Sequence, residues 1–170
     1  MVFCTFLDAT KAFDRIRYCK LFRLLSDRDI PPCIMRILLV FYMCNFVRIA
    51  WNGALSEYFH AVNGVKQGSV LSPVIFAIYI DGLLVKLLNA NVGCFVGEFF
   101  VGALAYADDI VLLAPTPSAM RKMLSICDEF AQEYSIVFNA RKSKCLIARP
   151  RGHRYLSTHM LPFVGVGVDP

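Results

Sequence analysis

The alternation of apolar and polar positions divides the first part of the chain into one strand and two helices. Val2 to Leu7 is an apolar run rich in strand-favouring residues, and it ends at Asp8. Lys11 to Leu25 carries apolar residues at helical spacing. Pro31-Pro32 then marks a fresh start, so Cys33 to Met43 is the next predicted helix.

The middle of the chain predicts a β-hairpin, a loop and a long helix. Phe46 to Trp51 and Ala54 to Val62 flank Asn52-Gly53, and these two residues supply the positive φ angles of a tight type I′ turn. A polar, glycine-bearing loop follows over residues 63–69. Ser72, as N-cap before Pro73, predicts a helix that runs to about residue 89.

The second half predicts a hairpin with acids at its tip, a helix and two late strands. Phe99 to Tyr106 and Ile110 to Ala114 flank the acids, and Thr116-Pro117 begins the helix. The apolar stripe of this helix comprises Ala119, Met123, Ile126, Cys127, Phe130 and Tyr134. The late strands are Ser143 to Ala148 and Phe163 to Val168, with Pro150 to His159 as a polar connection. The order predicts an α+β fold, with helices packed on one face of an antiparallel sheet, in a single domain over residues 1–170.

The composition is unusually apolar for a free-standing domain. The hydrophobic fraction is 57% and the mean hydropathy is +0.54. A membrane protein would need about 18 or more consecutive apolar residues with few charges. No such run is apparent, because Arg36 interrupts the most apolar helical candidate, Ile34 to Val47. The composition therefore favours a piece of a larger protein, whose apolar surface packs against neighbouring regions, and no membrane partner.

Charge and cysteine usage narrow the class of partner and compartment. The net charge is +5, and six basic residues fall in one late stretch without acids: Arg141, Lys142, Lys144, Arg149, Arg151 and Arg154. This stretch suits a polyanion partner, although a solvated surface explains it equally well. The seven cysteines are widely spaced and form no C-x-x-C pair, which indicates an intracellular, reducing compartment rather than a zinc site or disulfides.

Three aspartates form the candidate chemistry. Asp108-Asp109 lies between two apolar strands, where adjacent carboxylates repel each other and are costly to desolvate. A divalent cation such as Mg²⁺ would remove that cost, and Asp8 at the end of another strand could complete a two-metal site for phosphoryl transfer. The alternative is an ordinary hairpin turn, in which aspartate is common. From the chemistry alone the two interpretations are about equally favoured.

Four motifs, in the right order, resemble the reverse transcriptase family, specifically its non-LTR retrotransposon branch. They are Phe6-Leu7-Asp8-Ala9-Thr10-Lys11-Ala12-Phe13-Asp14, Gly64-Val65-Lys66-Gln67-Gly68-Ser69-Val70-Leu71-Ser72-Pro73, Tyr106-Ala107-Asp108-Asp109 and Phe138-Asn139-Ala140-Arg141-Lys142-Ser143-Lys144-Cys145. Phe163-Val164-Gly165 is a weaker match to the segment that grips the primer. The resemblance implies a polymerase palm, with a ferredoxin-like or RRM-like sheet, that copies RNA into DNA.

The same resemblance assigns roles to individual residues. Asp8 and Asp108 would bind two Mg²⁺ ions, or Mn²⁺, with help from the carbonyl of Ala9, and Asp109 would support them. Lys144 or Lys142 would protonate the leaving pyrophosphate or steady the triphosphate.

The resemblance also implies residues that bind the substrates. Phe13 would exclude a 2′-hydroxyl, Gln67 and Gly68 would shape the nucleotide pocket, and Tyr106 would contact the primer–template. Without the motifs, Phe13 and Tyr106 would be ordinary core or strand aromatics. The expected partners are an RNA template, a DNA primer and deoxynucleoside triphosphates.

The chain starts almost at the first motif and stops just after Asp169-Pro170, so we expect the preceding fingers and the following thumb of a parent polyprotein to be missing. The isolated palm would then be weakly active or inactive. A second hypothesis is a non-catalytic nucleic-acid-binding remnant that uses the late basic stretch. A third is a fragment that does not fold or that aggregates.

Overall fold

The computed structural model describes residues 1–66 and 68–148, together with the backbone of Thr158–His159. The chain divides into two compact units. Met1–Ala12 with Ile80–Pro170 forms the sheet unit, and Phe13–Tyr79 forms the hairpin unit. The sequence pattern did not indicate this division.

The elements follow each other in this order: β1 (Val2–Asp8), a 3₁₀ turn (Phe13–Arg15), α1 (Tyr18–Ser26), α2 (Pro32–Met43), β2 (Phe46–Val47), β3 (Ala50–Trp51), β4 (Ala54–Leu55), β5 (Phe59–His60), α3 (Ser72–Asn89), β6 (Phe95–Val96), β7 (Phe99–Phe100), β8 (Ala103–Tyr106), β9 (Asp109–Ala114), α4 (Pro117–Tyr134), β10 (Lys144–Ala148) and β11 (Thr158–His159).

The sheet unit is built on a five-stranded antiparallel sheet with the order β11-β10-β1-β9-β8. The central strand, β1, is paired on both sides, with Phe6 opposite Lys144 of β10 and Asp8 opposite Asp109 of β9. Directly paired residues project from the same face of a sheet. The register therefore fixes which side chains share a face with the acids.

One face of this sheet is closed by α4. Phe3, Thr5 and Leu7 alternate as the buried residues of β1, and the Thr5 hydroxyl donates to the sulfur of Met120 at 3.2 Å. The buried stripe of α4 comprises Met120, Met123, Cys127, Phe130 and Ala131. The predicted α+β fold, with an antiparallel sheet, is confirmed, and α4 is a helix that packs on one face of that sheet.

The start of α4 also agrees with the sequence. The Thr116 side chain accepts a hydrogen bond from the Ala119 amide at 3.1 Å, as an N-cap does, and Pro117 occupies the first turn. The helix ends at Ser135, whose φ of 58° gives a left-handed C-cap.

In the hairpin unit, the predicted hairpin is confirmed as two short ladders. β2 pairs with β5 and β3 pairs with β4. Asn52 and Gly53 have φ angles of 47° and 79°, so both central residues adopt the positive values of a type I′ turn. The predicted second helix is also present as α2.

The predicted helix over Lys11 to Leu25 is wrong in its first half. A 3₁₀ turn occupies Phe13–Arg15, and α1 begins only at Tyr18. The carbonyls of Phe13 and Ile16 accept hydrogen bonds from the amides of Val65 and Gly64. A continuing helix would need these carbonyls for its own amides four residues later, so the loop contacts override the apolar spacing.

Smaller differences occur further along the chain. Ser72 lies inside the first turn of α3 and donates to the carbonyl of Lys66, so it is not the N-cap. The run Phe99 to Tyr106 is broken at Gly102, where an added Cβ would lie 2.4 Å from the Phe100 ring. A short strand, β11, falls within the segment expected to be a polar connection. The predicted strand Phe163 to Val168 lies outside the described residues.

Helix α3 corrects the expectation that no segment is long and apolar enough to cross a membrane. It has 18 residues and a mean hydropathy of 1.5, so by length and composition alone it could cross a membrane. Its residues buried at helical spacing are Ile75, Phe76, Tyr79, Ile80, Leu83 and Leu87. Since such a stripe is the mark of a core helix, α3 gives only weak support to a membrane role.

Candidate functional site

The acidic residues lie at one end of the sheet. β8 and β9 are joined by the two-residue turn Ala107-Asp108, with Tyr106 paired to Asp109. Asp109 is in turn paired with Asp8 on β1. The backbones of three aspartates, from two segments that are far apart in sequence, therefore lie at the same end of the sheet.

The acids project from the open face of the sheet. Leu7 and Ile110, their neighbours in the two strands, are 2% and 1% exposed on the α4 side. Because side chains alternate along a strand, Asp8 and Asp109 point the other way. The Asp8 side chain is 37% exposed, so a ligand can reach it from solvent.

The turn that carries Asp108 is strained. Ala107 has a positive φ of 52°, whereas the φ of Asp108 is not positive. A positive φ at the first central residue only is the pattern of a type II′ turn, where glycine is preferred. A left-handed conformation costs an ordinary residue about 1–2 kcal/mol, and strain of this kind concentrates at functional sites.

Ala9 anchors the strand end beside the acids. It forms an isolated antiparallel bridge with Phe138, and the amide of Thr10 donates to the carbonyl of Val137 at 2.8 Å. The fourth motif is thereby held next to the first.

The two candidate lysines of the fourth motif differ in their contacts. Lys142 Nζ lies 3.9 Å from Asp8 Oδ2, and its side chain is 70% exposed. Lys144 Nζ donates instead to the carbonyl of Arg141 at 3.2 Å. Lys142 is therefore the lysine of this pair that faces an acid of the site.

The donor set suits a hard divalent cation, since all three side chains are carboxylates. Among residues 1–66 and 68–148, no three acidic, histidine or cysteine side chains lie close enough together to hold a metal ion as they stand. A cation would have to draw the carboxylates of Asp8, Asp108 and Asp109 together. Paired strands and a shared turn already bring their backbones to one edge.

An apolar surface continues from the acids across the open face. Tyr106 is 85% exposed beside Asp109, and the next row runs from Leu104 through Val111 to Phe6. Leu104 and Phe6 are 54% and 44% exposed. Exposed apolar rows of this kind mark surfaces that contact a partner.

The remaining candidates belong to the hairpin unit. The ring of the half-buried Phe13 lies 5.1 Å from that of Phe76, so one side of Phe13 packs on the core. Gly68 has a φ of 81° with open space around its Cα, which is a turn conformation that favours glycine. Gln67 lies outside the described residues.

The loop that carries the second motif is tied to the 3₁₀ turn within this unit. The Tyr18 hydroxyl donates to the carbonyl of Gly64 at 2.9 Å. An added Cβ at Gly64, whose φ is 82°, would lie 2.9 Å from the Asp14 backbone. Sequence reasoning missed Tyr18 and Gly64 as positioning residues, although the glycine in the motif was a usable signal.

Histidines and cysteines provide no second site in the described residues. His60 hydrogen-bonds the carbonyl of Met43 and stacks on Phe46. All seven cysteines are free, and burial raises the pKa of the Cys127 thiol to about 12, which makes it an inert core residue. Arg141 and Lys142 are exposed, while the rest of the basic stretch beyond residue 148 lies outside the described residues.

The chain is similar in sequence to known proteins of one family. A family model described as "Reverse transcriptase (RNA-dependent DNA polymerase)" matches residues 2–167. The Pol polyprotein of the type-1 retrotransposable element R2 of Nasonia vitripennis is 29% identical over 89% of this chain. The RNA-directed DNA polymerase from the mobile element jockey of Drosophila funebris is 27% identical over 96%.

The fold has a solved counterpart. Apo telomerase from Candida tropicalis superposes with a TM-score of 0.68 over 92% of this chain and 32% of its own, at 14% identity. The chain spans only 15% and 19% of the R2 and jockey proteins. Since the family model covers nearly the whole sequence, the chain belongs to the reverse transcriptase (RNA-dependent DNA polymerase) family.

Proposed function

We propose that this chain is the palm of an RNA-directed DNA polymerase, which adds deoxynucleotides to a primer 3′ end on an RNA template. The observation that carries the proposal is the placement of three aspartates at one end of the sheet, with Asp8 and Asp109 on its open face and Asp108 in the adjoining turn. Drawn together by bound cations, these carboxylates would form the protein half of a metal-assisted phosphoryl-transfer site.

In this proposal Asp8 and Asp108 hold two Mg²⁺ ions, or Mn²⁺, with the carbonyl of Ala9, and Asp109 supports them. When bound, the ions activate the attacking oxygen and stabilise the leaving one. The hairpin turn and the central strand fix the backbones of these residues at one end of the sheet, and the carboxylates would draw together when the cations bind.

Lys142 is better placed than Lys144 to act on the triphosphate. Its ammonium already lies near Asp8 and is well exposed, whereas the ammonium of Lys144 is engaged with the carbonyl of Arg141. Of the two lysines that the fourth motif offers, we assign to Lys142 the role of steadying the triphosphate or protonating the departing pyrophosphate.

Phe13, Gln67 and Gly68 would shape the nucleotide pocket. The ring of Phe13 is backed by the buried Phe76, which gives it the rigidity that a steric filter against a 2′-hydroxyl needs. Tyr106, largely exposed beside the acids, would contact the primer–template. The template is proposed to be RNA, as the family's activity requires, and the primer is proposed to be DNA.

Processive synthesis would need regions that the longer relatives have, since the chain spans less than a fifth of each of the two compared. The test is primer extension on an RNA template with Mg²⁺. We expect additions of one or a few nucleotides, abolished by Asp108→Asn. Additions that survive Asp108→Asn would refute the assigned site, and long products would refute the need for further regions.

A non-catalytic nucleic-acid-binding role is the second candidate, and the exposure of Arg141 and Lys142 favours it. It predicts RNA binding that weakens steeply with salt, needs no metal and is unaffected by Asp8→Asn. Filter binding at several salt concentrations, with and without Mg²⁺, separates it from the polymerase.

A further inference from the structure

We infer that Ser143, together with Asn139, positions the carboxylate of Asp8 for metal binding. The inference rests on the proposed function, because it concerns how the same site is held. Neither residue touches the reacting atoms in this account. Both act through Asp8, so they are positioning residues.

The loop of residues 139–143 forms hydrogen bonds with both the backbone amide and the backbone carbonyl of Asp8. The Asp8 amide donates to Ser143 Oγ at 3.3 Å, and the Asn139 amide donates to the Asp8 carbonyl at 2.8 Å. The last regular pair between β1 and β10 is Phe6 with Lys144, two residues before Asp8. At the end of β1, the Ser143 hydroxyl therefore accepts a hydrogen bond from the amide of Asp8 in place of a backbone carbonyl of β10.

The second observation is that the segment is itself fixed. The Ser143 amide donates to the Asn139 carbonyl at 2.8 Å. Asn139 Oδ1 accepts from the amides of Arg141 and Lys142 at 3.1 and 3.2 Å. Ser143 is only 6% exposed, although its neighbours Lys142 and Lys144 are not buried. A polar residue buried in an exposed loop has a specific partner to satisfy, and here that partner is Asp8.

The third observation concerns the direction in which Asp8 is held. In a strand, the amide and carbonyl of one residue point to the same side. Since both groups of Asp8 point towards the loop, Asp8 and Asp109 form a non-hydrogen-bonded pair, the type in which facing side chains are closest. The same loop brings the ammonium of Lys142 to 3.9 Å from the carboxylate.

Removal of the Ser143 hydroxyl would leave the Asp8 amide without its acceptor and loosen the carboxylate. Groups that orient a metal ligand typically contribute about 10- to 100-fold to metal affinity. We therefore expect Ser143→Ala to weaken Mn²⁺ binding by about tenfold or more, and Ser143→Thr, which keeps the hydroxyl, to restore most of it. Ser125→Ala removes a hydroxyl that donates to Glu129 on the exposed surface of α4, and it serves as the matched control.

The experiment titrates Mn²⁺ into the 170-residue chain and measures free Mn²⁺ by electron paramagnetic resonance. Urea unfolding of each variant is measured in parallel, because a purely structural serine would lower stability without a selective loss of Mn²⁺ affinity. Asp8→Asn is included as the direct test of the ligand. The inference is supported if Ser143→Ala loses affinity while folded and Ser143→Thr and Ser125→Ala do not.

Mn²⁺ affinity that is unchanged in folded Ser143→Ala overturns the inference and leaves the proposed function intact. If the unsubstituted chain does not bind Mn²⁺, or Asp8→Asn binds it equally well, the proposed metal site itself fails and the inference fails with it. Should Ser143→Ala not fold, Asn139→Ala takes its place, since it keeps the Ser143 hydroxyl but removes the acceptor of the Arg141 and Lys142 amides. Unchanged affinity in Asn139→Ala would then overturn the inference.

Discussion

At the scale of single residues, the site has two carboxylates directly opposite each other on neighbouring strands, an arrangement that does not stabilise a sheet. Asp8 and Asp109 face each other directly on the open face, and Asp108 follows a strained Ala107. Like charges directly opposite each other in a sheet are destabilising. An arrangement that lowers stability in this way is what a cation-binding site requires, because the cation removes the repulsion.

At this scale we predict that Asp109→Asn stabilises the metal-free chain. Removing one of two facing charges should raise the free energy of unfolding by about 0.2–1 kcal/mol. Urea unfolding in the presence of a chelator measures this change, and the difference from the unsubstituted chain should shrink when Mg²⁺ is added. Glu98→Gln, an exposed change in the β6–β7 turn, is the control and should have no effect. A loss of stability in Asp109→Asn without metal would contradict this account.

The sequence indicated the acids but not the residues that hold them. Asp8, Asp108 and Asp109 stood out because charged residues at the ends of apolar strands need an explanation. Ser143 and Tyr18 did not, because a serine in a polar loop and a tyrosine in an amphipathic helix need none. Their roles depend on bonds to Asp8 and Gly64, which are 135 and 46 residues away in sequence.

At the scale of elements, local chemistry predicted the turns and caps better than the helix starts. Asn52-Gly53 and Thr116-Pro117 behave as expected, because their conformations are set by the residues themselves. The segment after Lys11 does not, because its carbonyls bond a loop about 50 residues further along the chain. Apolar spacing alone carries no information about such a contact.

The element-scale prediction concerns the cap of α4, the helix that closes one face of the sheet. Thr116→Ala should lower the free energy of unfolding by about 1 kcal/mol, because the Ala119 amide loses its acceptor. Thr116→Ser retains a hydroxyl and should stay close to the unsubstituted chain. Urea unfolding followed by circular dichroism measures both. Equal stability of the alanine and serine variants would show that the cap contributes nothing.

At the scale of the whole molecule, the apolar composition has a visible counterpart. Along α2, Ile37, Val40 and Phe41 are each more than half exposed, and together with Cys33 and Arg36 they line a groove of about 590 Å³. Contiguous apolar surface of this kind marks contact regions. It fits the expectation, drawn from composition, that this chain packs against further regions of a longer protein.

The motifs and their order identified the family from the sequence. The alternation of apolar strands and helices between them predicted the α+β fold class. The division into a sheet unit and a hairpin unit was not predictable in the same way. It depends on which strands pair, and β1 pairs with β9 and β10, more than 100 residues away, rather than with its neighbours in sequence.

Asp8, Asp108 and Asp109 are proposed to bind divalent metal ions at the end of the sheet where β1 and β9 carry acids on the open face. Paramagnetic broadening of amide signals by Mn²⁺, measured by nuclear magnetic resonance on the labelled chain, tests this proposal most directly. We expect the strongest broadening at residues 7–10, 106–110 and 139–143, which surround the acids, and we expect it to be lost in Asp108→Asn and kept in Glu98→Gln. Broadening that is absent from these residues, or that Asp108→Asn leaves unchanged, would contradict it.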